Sequence, residues 1–102
     1  MLKNTIYLSM IALLTTACSG SNKFSPAPEM SGKEIFASAC VECHKPVGES
    51  VMEISADMKD ADKIANQVLG GSLMMPSFPN IQGESARKLA KYVVENSKTK
   101  MN

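Results

Sequence analysis

The sequence predicts an all-α fold with three main helices. Three segments carry apolar residues at helical spacing, two of them after a capping residue, and no segment alternates as a convincing strand with a partner. The chain has 102 residues, which is one domain at most. Hydrophobic residues make up 44% of it, and this favours a globular over a disordered chain.

The first predicted helix begins at a capping box. Ser31 can accept a hydrogen bond from the backbone of Glu34, whose side chain can reach back to the Ser31 amide. Gly32 in the first turn lowers helix stability unless another segment packs very close to it. One face of this helix carries Gly32, Phe36, Ala39, Cys40 and Cys43.

Two further helices follow. Asp60 can cap the second helix, and Gly70 with Gly71 ends it. The third helix is predicted from about Glu84 to Asn96. The apolar stripe of the second consists of Ala61, Ile64, Ala65, Val68 and Leu69, and that of the third of Ala86, Leu89, Ala90 and Val93, with Tyr92 at its edge.

Charge and size limit the classes of function. The formal net charge is +1 and no long run of like charge occurs, so nothing indicates a nucleic-acid partner. A domain of this size without Trp buries little apolar surface, and such domains often need a staple, a metal or a cofactor.

Residues 1–17 have the pattern of a signal peptide. Lys3 supplies the positive charge, and the apolar run from Ile6 to Ala17 has the length of a secretory core. The run is short for a bilayer span, although an uncleaved membrane anchor is the alternative. The signal predicts export from a bacterial cytoplasm to the periplasmic or cell-surface side.

Cys18 directly follows this signal. The segment Leu14–Cys18 resembles the lipobox of bacterial lipoproteins, in which the cysteine becomes the lipidated first residue of the mature chain. A stray cysteine beyond an ordinary cleavage site is the alternative. With lipid on Cys18, residues 18–29 would form an anchor and a flexible tether, and residues 30–102 the folded domain.

The motif Cys40-Val41-Glu42-Cys43-His44 carries the chemistry. On a helix, Cys40, Cys43 and His44 would share one face. A structural zinc site needs about four ligands, and the expected mature domain offers no second pair. A thioredoxin-like motif expects a βαβ setting, and a disulfide between two cysteines this close is geometrically tight. Covalent haem needs what is present, namely two thiols and an adjacent imidazole.

From residue 31 to about 96 the chain resembles the class I c-type cytochromes. The resemblance rests on this motif, on Gly32 and Phe36, on the loop Met75-Pro76-Ser77-Phe78, and on Leu89, Tyr92 and Val93. It implies a small cytochrome c fold whose three helices surround one covalent haem c. It also implies that Gly32 packs under Tyr92, and that Met75, directly before the proline, is the second axial ligand beside His44.

These features predict a monohaem electron carrier and not an enzyme, because an iron with His44 and Met75 as ligands has no open site for substrate. Redox proteins would be its partners, lipid at Cys18 its link to the membrane, and the protein would be a monomer. Ile64, Leu69 and Phe78 would line the haem pocket, and Pro46 is a candidate acceptor for the imidazole N–H. The alternatives are a haem protein with a labile sixth ligand, for gas sensing or peroxide reduction, and a thiol–disulfide oxidoreductase.

Overall fold

The structure is a computed structural model that describes residues 21–100. These residues form helices α1 (Gly32–Ala39), α2 (Ala61–Gly70) and α3 (Gly83–Asn96), with a short 3-10 turn at Ala56–Met58. The predicted all-α class is confirmed. The predicted signal peptide, residues 1–17, and Cys18 lie outside the described residues.

Local sequence signals set the helix ends as predicted. Ser31 and Glu34 form the full capping box of α1. The Asp60 carboxylate accepts from the amides of Asp62 and Lys63 at the start of α2. Gly71 ends α2 with a φ of 69°, a backbone region that favours glycine. Capping satisfies amides that have no partner inside the helix, which is why these boundaries could be predicted.

Helices α1 and α2 both pack on α3, which supplies the centre of the core. Ile35, Ile81 and Leu89 are almost fully buried at this junction. The predicted stripe of α3 is confirmed, since Ala86, Leu89, Ala90 and Val93 are all buried. In α2 the stripe is narrower than predicted: Ile64 and Val68 are buried, whereas Leu69 is 43% exposed.

The contact between α1 and α3 depends on Gly32. A Cβ atom at Gly32 would lie 2.8 Å from the carbonyl carbon of Lys88 and 2.8 Å from the Cβ of Tyr92. Next to this contact the rings of Phe36 and Tyr92 pack at a centroid distance of 5.8 Å. The predicted position of Gly32 under Tyr92 is therefore confirmed, and the absence of a side chain is what lets the two helices approach.

Two short strands were not predicted. Strand β1 (Glu53–Ile54) pairs in parallel with β2 (Lys98–Thr99), with Glu53 opposite Lys98 and Ile54 opposite Thr99. Flanking bonds extend the contact, since the Lys98 amide donates to Met52 (2.9 Å) and the Lys100 amide to Ile54 (2.7 Å). The pairing fastens the long connection between α1 and α2 to the chain that follows α3.

The connection before α1 also packs on the domain. Residues 21–29 belong to the predicted tether, yet several of them bond to the rest of the domain: the Asn22 amide donates to the Ser77 carbonyl (2.8 Å), and Lys88 Nζ donates to the Pro28 carbonyl (3.0 Å). Phe24 and Met30 are partly buried against the core. The folded structure therefore begins well before α1.

Gly32→Ala tests the close helix contact. We expect a loss of roughly 1–3 kcal/mol in the free energy of unfolding, because the added methyl group meets backbone that cannot move aside cheaply. Gly70→Ala is the matched control, since no atom lies within 4 Å of a Cβ built there. It should be neutral or slightly stabilising in a helix. Equal thermal or denaturant unfolding of the two variants would contradict the contact.

Candidate functional site: a cavity pair bounded by the Cys-x-x-Cys-His motif

The motif lies in a turn and not within the helix. Helix α1 ends at Ala39, and Cys40 is its C-cap, so the helical placement of the motif is corrected. The turn still keeps helix-like spacing, because the His44 amide donates to the Cys40 carbonyl at 2.9 Å and the Cys43 amide donates to it at 3.3 Å. The three motif side chains consequently reach the same cavity.

Two cavities meet at the motif. The motif cavity, about 410 Å³, is lined by the motif turn and by Asn22, Pro76 and Phe78. The helix cavity, about 360 Å³, lies between the helices and β1. Cys40, His44 and Met75 line both. The helix cavity is largely apolar, with walls from Phe36, Met52, Ile54, Met58, Ile64, Val68, Leu89 and Val93.

Of the three residues predicted to line the haem pocket, two line the cavities at the motif and one does not. Ile64 lines the helix cavity and Phe78, which is 3% exposed, lines the motif cavity. Leu69 was placed wrongly, since it lines a different cavity on the far side of α2, beside Ile81 and Ala86. On a ten-residue helix, Leu69 directly follows Val68 and so points about 100° away from it.

Burial shifts the pKa values of two motif residues, His44 and Cys40. His44 is half-buried, and desolvation lowers the pKa of its imidazole below the usual 6.5. The neutral imidazole, which is the form that binds metals, is therefore favoured at neutral pH. Cys40 is buried, and desolvation raises the pKa of its thiol to about 11. Cys43 is more exposed than Cys40.

Met75 reaches the cavities from the loop between α2 and α3. The loop folds back on the end of α2, where the Ser72 amide donates to the Met75 carbonyl (2.9 Å) and the Phe78 amide to the Val68 carbonyl (2.8 Å). Met74, the neighbouring residue, is 78% exposed and points to solvent. This opposite orientation agrees with the extended backbone that Pro76 favours at the residue before it.

Gln67 was missed by the sequence analysis. Its Nε2 atom, on α2, donates to Met75 Sδ at 3.6 Å, and its side chain lines the helix cavity. Spacing offered one signal, because Gln67 lies three residues after Ile64 and so is its neighbour on the cavity side of α2. The bond orients the sulfur of Met75. Pro46, the candidate acceptor for the His44 ring, is exposed, and its candidacy rests on its position alone.

The donor set fits a haem. Cys40, Cys43, His44 and Met75 all line the motif cavity, which adjoins the apolar helix cavity, and His with Met is a known axial pair of c-type haem iron. Among residues 21–100, no three side chains of His, Cys, Asp and Glu converge as they would around a zinc ion. The same residues contain no helix long and apolar enough to cross a bilayer.

Comparison with protein families agrees with this chemistry. Residues 27–93 match the family described as cytochrome c oxidase, cbb3-type, subunit III, and the match covers well over half of the chain. The protein belongs to this family. It is thus a c-type cytochrome domain, and membership implies covalently bound haem c and redox protein partners. No curated protein gives a significant match to the cytochrome.

The connection between α2 and α3, residues 71–82, is called the methionine loop below. Gly71→Ala tests how this loop is held against the domain. Its φ of 69° and ψ of −167° lie in a region almost restricted to glycine, and a Cβ would lie 2.6 Å from the Ser77 amide and 2.8 Å from the Met75 oxygen. We expect backbone strain to lower the free energy of unfolding by roughly 1–3 kcal/mol. The overlap of the added methyl group with the Ser77 and Met75 backbone should lower it further.

Gly48→Ala is the matched control for the loop. Gly48 also has a positive φ, 62°, but no atom lies within 4 Å of its Cβ position. It should show backbone strain only. If both variants unfold at the same denaturant concentration, the close contact between Gly71 and the methionine loop does not contribute to stability.

Proposed function

We propose that this c-type cytochrome is an exported, lipid-anchored, monohaem carrier that passes one electron at a time between redox proteins. The observation that carries the proposal is the convergence of His44 and Met75, beside Cys40, on the boundary shared by two cavities. His44 and Met75 would then both be ligands of one iron. A carrier needs no open coordination site, whereas gas binding or peroxide reduction does.

The haem, when bound, supplies the one-electron couple of its iron. Cys40 and Cys43 would hold it covalently, and the neutral imidazole of His44 would be one axial ligand. Met75 would supply a soft thioether to the other side, and His/Met ligation raises the reduction potential. The hydrogen bond from Gln67 to Met75 Sδ limits the rotation of the sulfur.

The apolar walls of the helix cavity would influence the reduction potential of a bound haem. Apolar side chains from all three helices keep water away from the bound group, and low polarity around a metal centre shifts its potential. The motif cavity borders solvent through the exposed residues Glu42, Cys43 and Lys45. Electrons would therefore leave or enter on the motif side.

The state of Cys40 argues against the thiol–disulfide alternative. A catalytic thiol is usually accessible and has a lowered pKa, because the thiolate is the nucleophile. Cys40 is 7% exposed, and burial raises its pKa to about 11. At neutral pH this thiol stays protonated and buried beside the cavity, which suits an attachment point better than a nucleophile.

The anchor would keep the carrier near a membrane. The proposed lipid position, Cys18, precedes Ser21 by three residues, and Ser21 pairs with the methionine loop at Ser77. Three residues span about 11 Å at most, at roughly 3.6 Å per residue. If Cys18 carries lipid, the motif side lies close to the bilayer surface, which favours membrane-bound redox partners.

Met75→Ala tests the ligation on which the function depends. We expect it to abolish the weak far-red band of Met-ligated ferric haem, to lower the reduction potential and to open the iron to cyanide. Met74→Ala is the matched control, because the same change is made on a side chain that is 78% exposed. It should leave the band in place.

The two methionine variants distinguish the alternatives. If Met74→Ala removes the band and Met75→Ala does not, the loop register is off by one residue. If neither variant changes the spectrum, the sixth ligand is not a methionine of this loop. The haem protein with a labile sixth ligand would then replace the carrier as the better account.

Cys18→Ser tests the anchor. We expect the variant to appear in the soluble export compartment or to remain unprocessed, because a thiol is needed for lipid attachment. Ser19→Ala keeps the cysteine and should stay in the membrane fraction. Fractionation and the mass of the N-terminal peptide provide the measurement, and a wholly soluble wild-type protein with an unmodified Cys18 would contradict the anchor.

A further inference from the structure

The segment Ser21–Phe24 lies along the outer side of the methionine loop. Ser21 forms a parallel bridge with Ser77, and the Asn22 amide donates to the Ser77 carbonyl at 2.8 Å. Ser77 is two residues from Met75, the proposed ligand. Asn22 also lines the motif cavity together with His44 and Met75, so the contact lies at the site and not at a remote edge.

A second set of contacts keeps the segment in place. The Asn80 side chain donates through Nδ2 to the Lys23 carbonyl at 3.1 Å, so the segment bonds to the loop on both sides of Phe78. The Phe24 amide donates to Asn22 Oδ1 at 2.8 Å, and the Phe24 ring is partly buried against the core. Four successive residues thus take part in one contact.

The methionine loop needs support from this side. On its inner side it bonds to α2 through Phe78 and Gly71. Its tip is open to solvent, with Leu73 90% exposed and Met74 78% exposed. Phe78 and Ile81 anchor the second half of the loop in the core, whereas its exposed tip directly precedes Met75, the proposed iron ligand. Exposed segments with few buried contacts open at low free-energy cost. The Ser21–Phe24 segment supplies its contacts on the outer side.

We propose that residues 21–24 are a strap that positions Met75 by holding its loop against the domain. The inference rests on the proposed Met75 ligation and assigns to the segment between the export signal and α1 a role beyond spacing. The strap residues are positioning residues, since they act through Ser77 and Asn80. Detaching the strap frees the outer side of the loop, and Met75 then leaves the iron more often.

Asn22→Pro removes the amide that bonds to Ser77. Cyanide binding to the ferric holoprotein reports how often the sixth position opens, and its observed rate constant should rise about fivefold. That factor corresponds to about 1 kcal/mol at 25 °C, the typical net value of one hydrogen bond. The far-red band should also disappear at a lower temperature than in the wild type, before the helices unfold.

Asn80→Ala removes the second bond from the loop side and should raise the cyanide rate constant about two- to fivefold, the effect of one exposed hydrogen bond. Ser25→Pro is the matched control, because it places the same residue type just beyond the contact with Ser77. Asn22→Ala keeps the backbone amide and should change the rate less than Asn22→Pro does.

The outcomes separate the strap from the proposed function. A wild-type protein without the far-red band would overturn the Met75 ligation and the strap with it. A wild-type protein with the band, combined with equal cyanide rates in Asn22→Pro, Asn80→Ala, Ser25→Pro and the wild type, would overturn the strap alone. A higher rate in both contact variants, with the control unchanged, establishes it.

Discussion

The proposed haem site depends on bringing together two proposed iron ligands that are far apart in the chain. His44 follows α1, Met75 follows α2, and both line the same two cavities beside Cys40. No helix carries both residues, so each must be placed by its own turn or loop. A small domain without Trp also has little apolar surface to bury, and a haem bound between the helices would complete its core.

The turn that carries His44 and the loop that carries Met75 each depend on a close backbone contact at a glycine, where an added side chain would not fit. Helix α1 reaches α3 only because Gly32 has no side chain, and that contact fixes the origin of the motif turn. The methionine loop leaves α2 at Gly71, in a backbone conformation nearly restricted to glycine. The same loop is bonded on its other side by Asn22. Backbone geometry therefore contributes to the placement of both His44 and Met75.

The ends of helices α1 and α2 could be predicted from local sequence signals. Capping by Ser31 and Asp60 and the stop at Gly71 follow from residue type and spacing, whereas the close contact of Gly32 with Tyr92 was implied by the family resemblance. The sequence analysis missed the pairing of β1 with β2 and the packing of residues 21–24, because two-residue strands and backbone bonds leave no periodic pattern. Leu69 was misplaced because its side chain points about 100° away from that of Val68 and lines a different cavity.

Covalent attachment of haem at Cys40 and Cys43 is the central claim. A pyridine haemochrome spectrum of the purified protein, with the intact mass measured after denaturation, tests it most directly. The account predicts one haem per chain, retained under denaturing conditions, and a spectrum typical of a haem with two thioether bonds. A colourless protein whose mass is that of the polypeptide alone, with both thiols free to react with an alkylating agent, would contradict it.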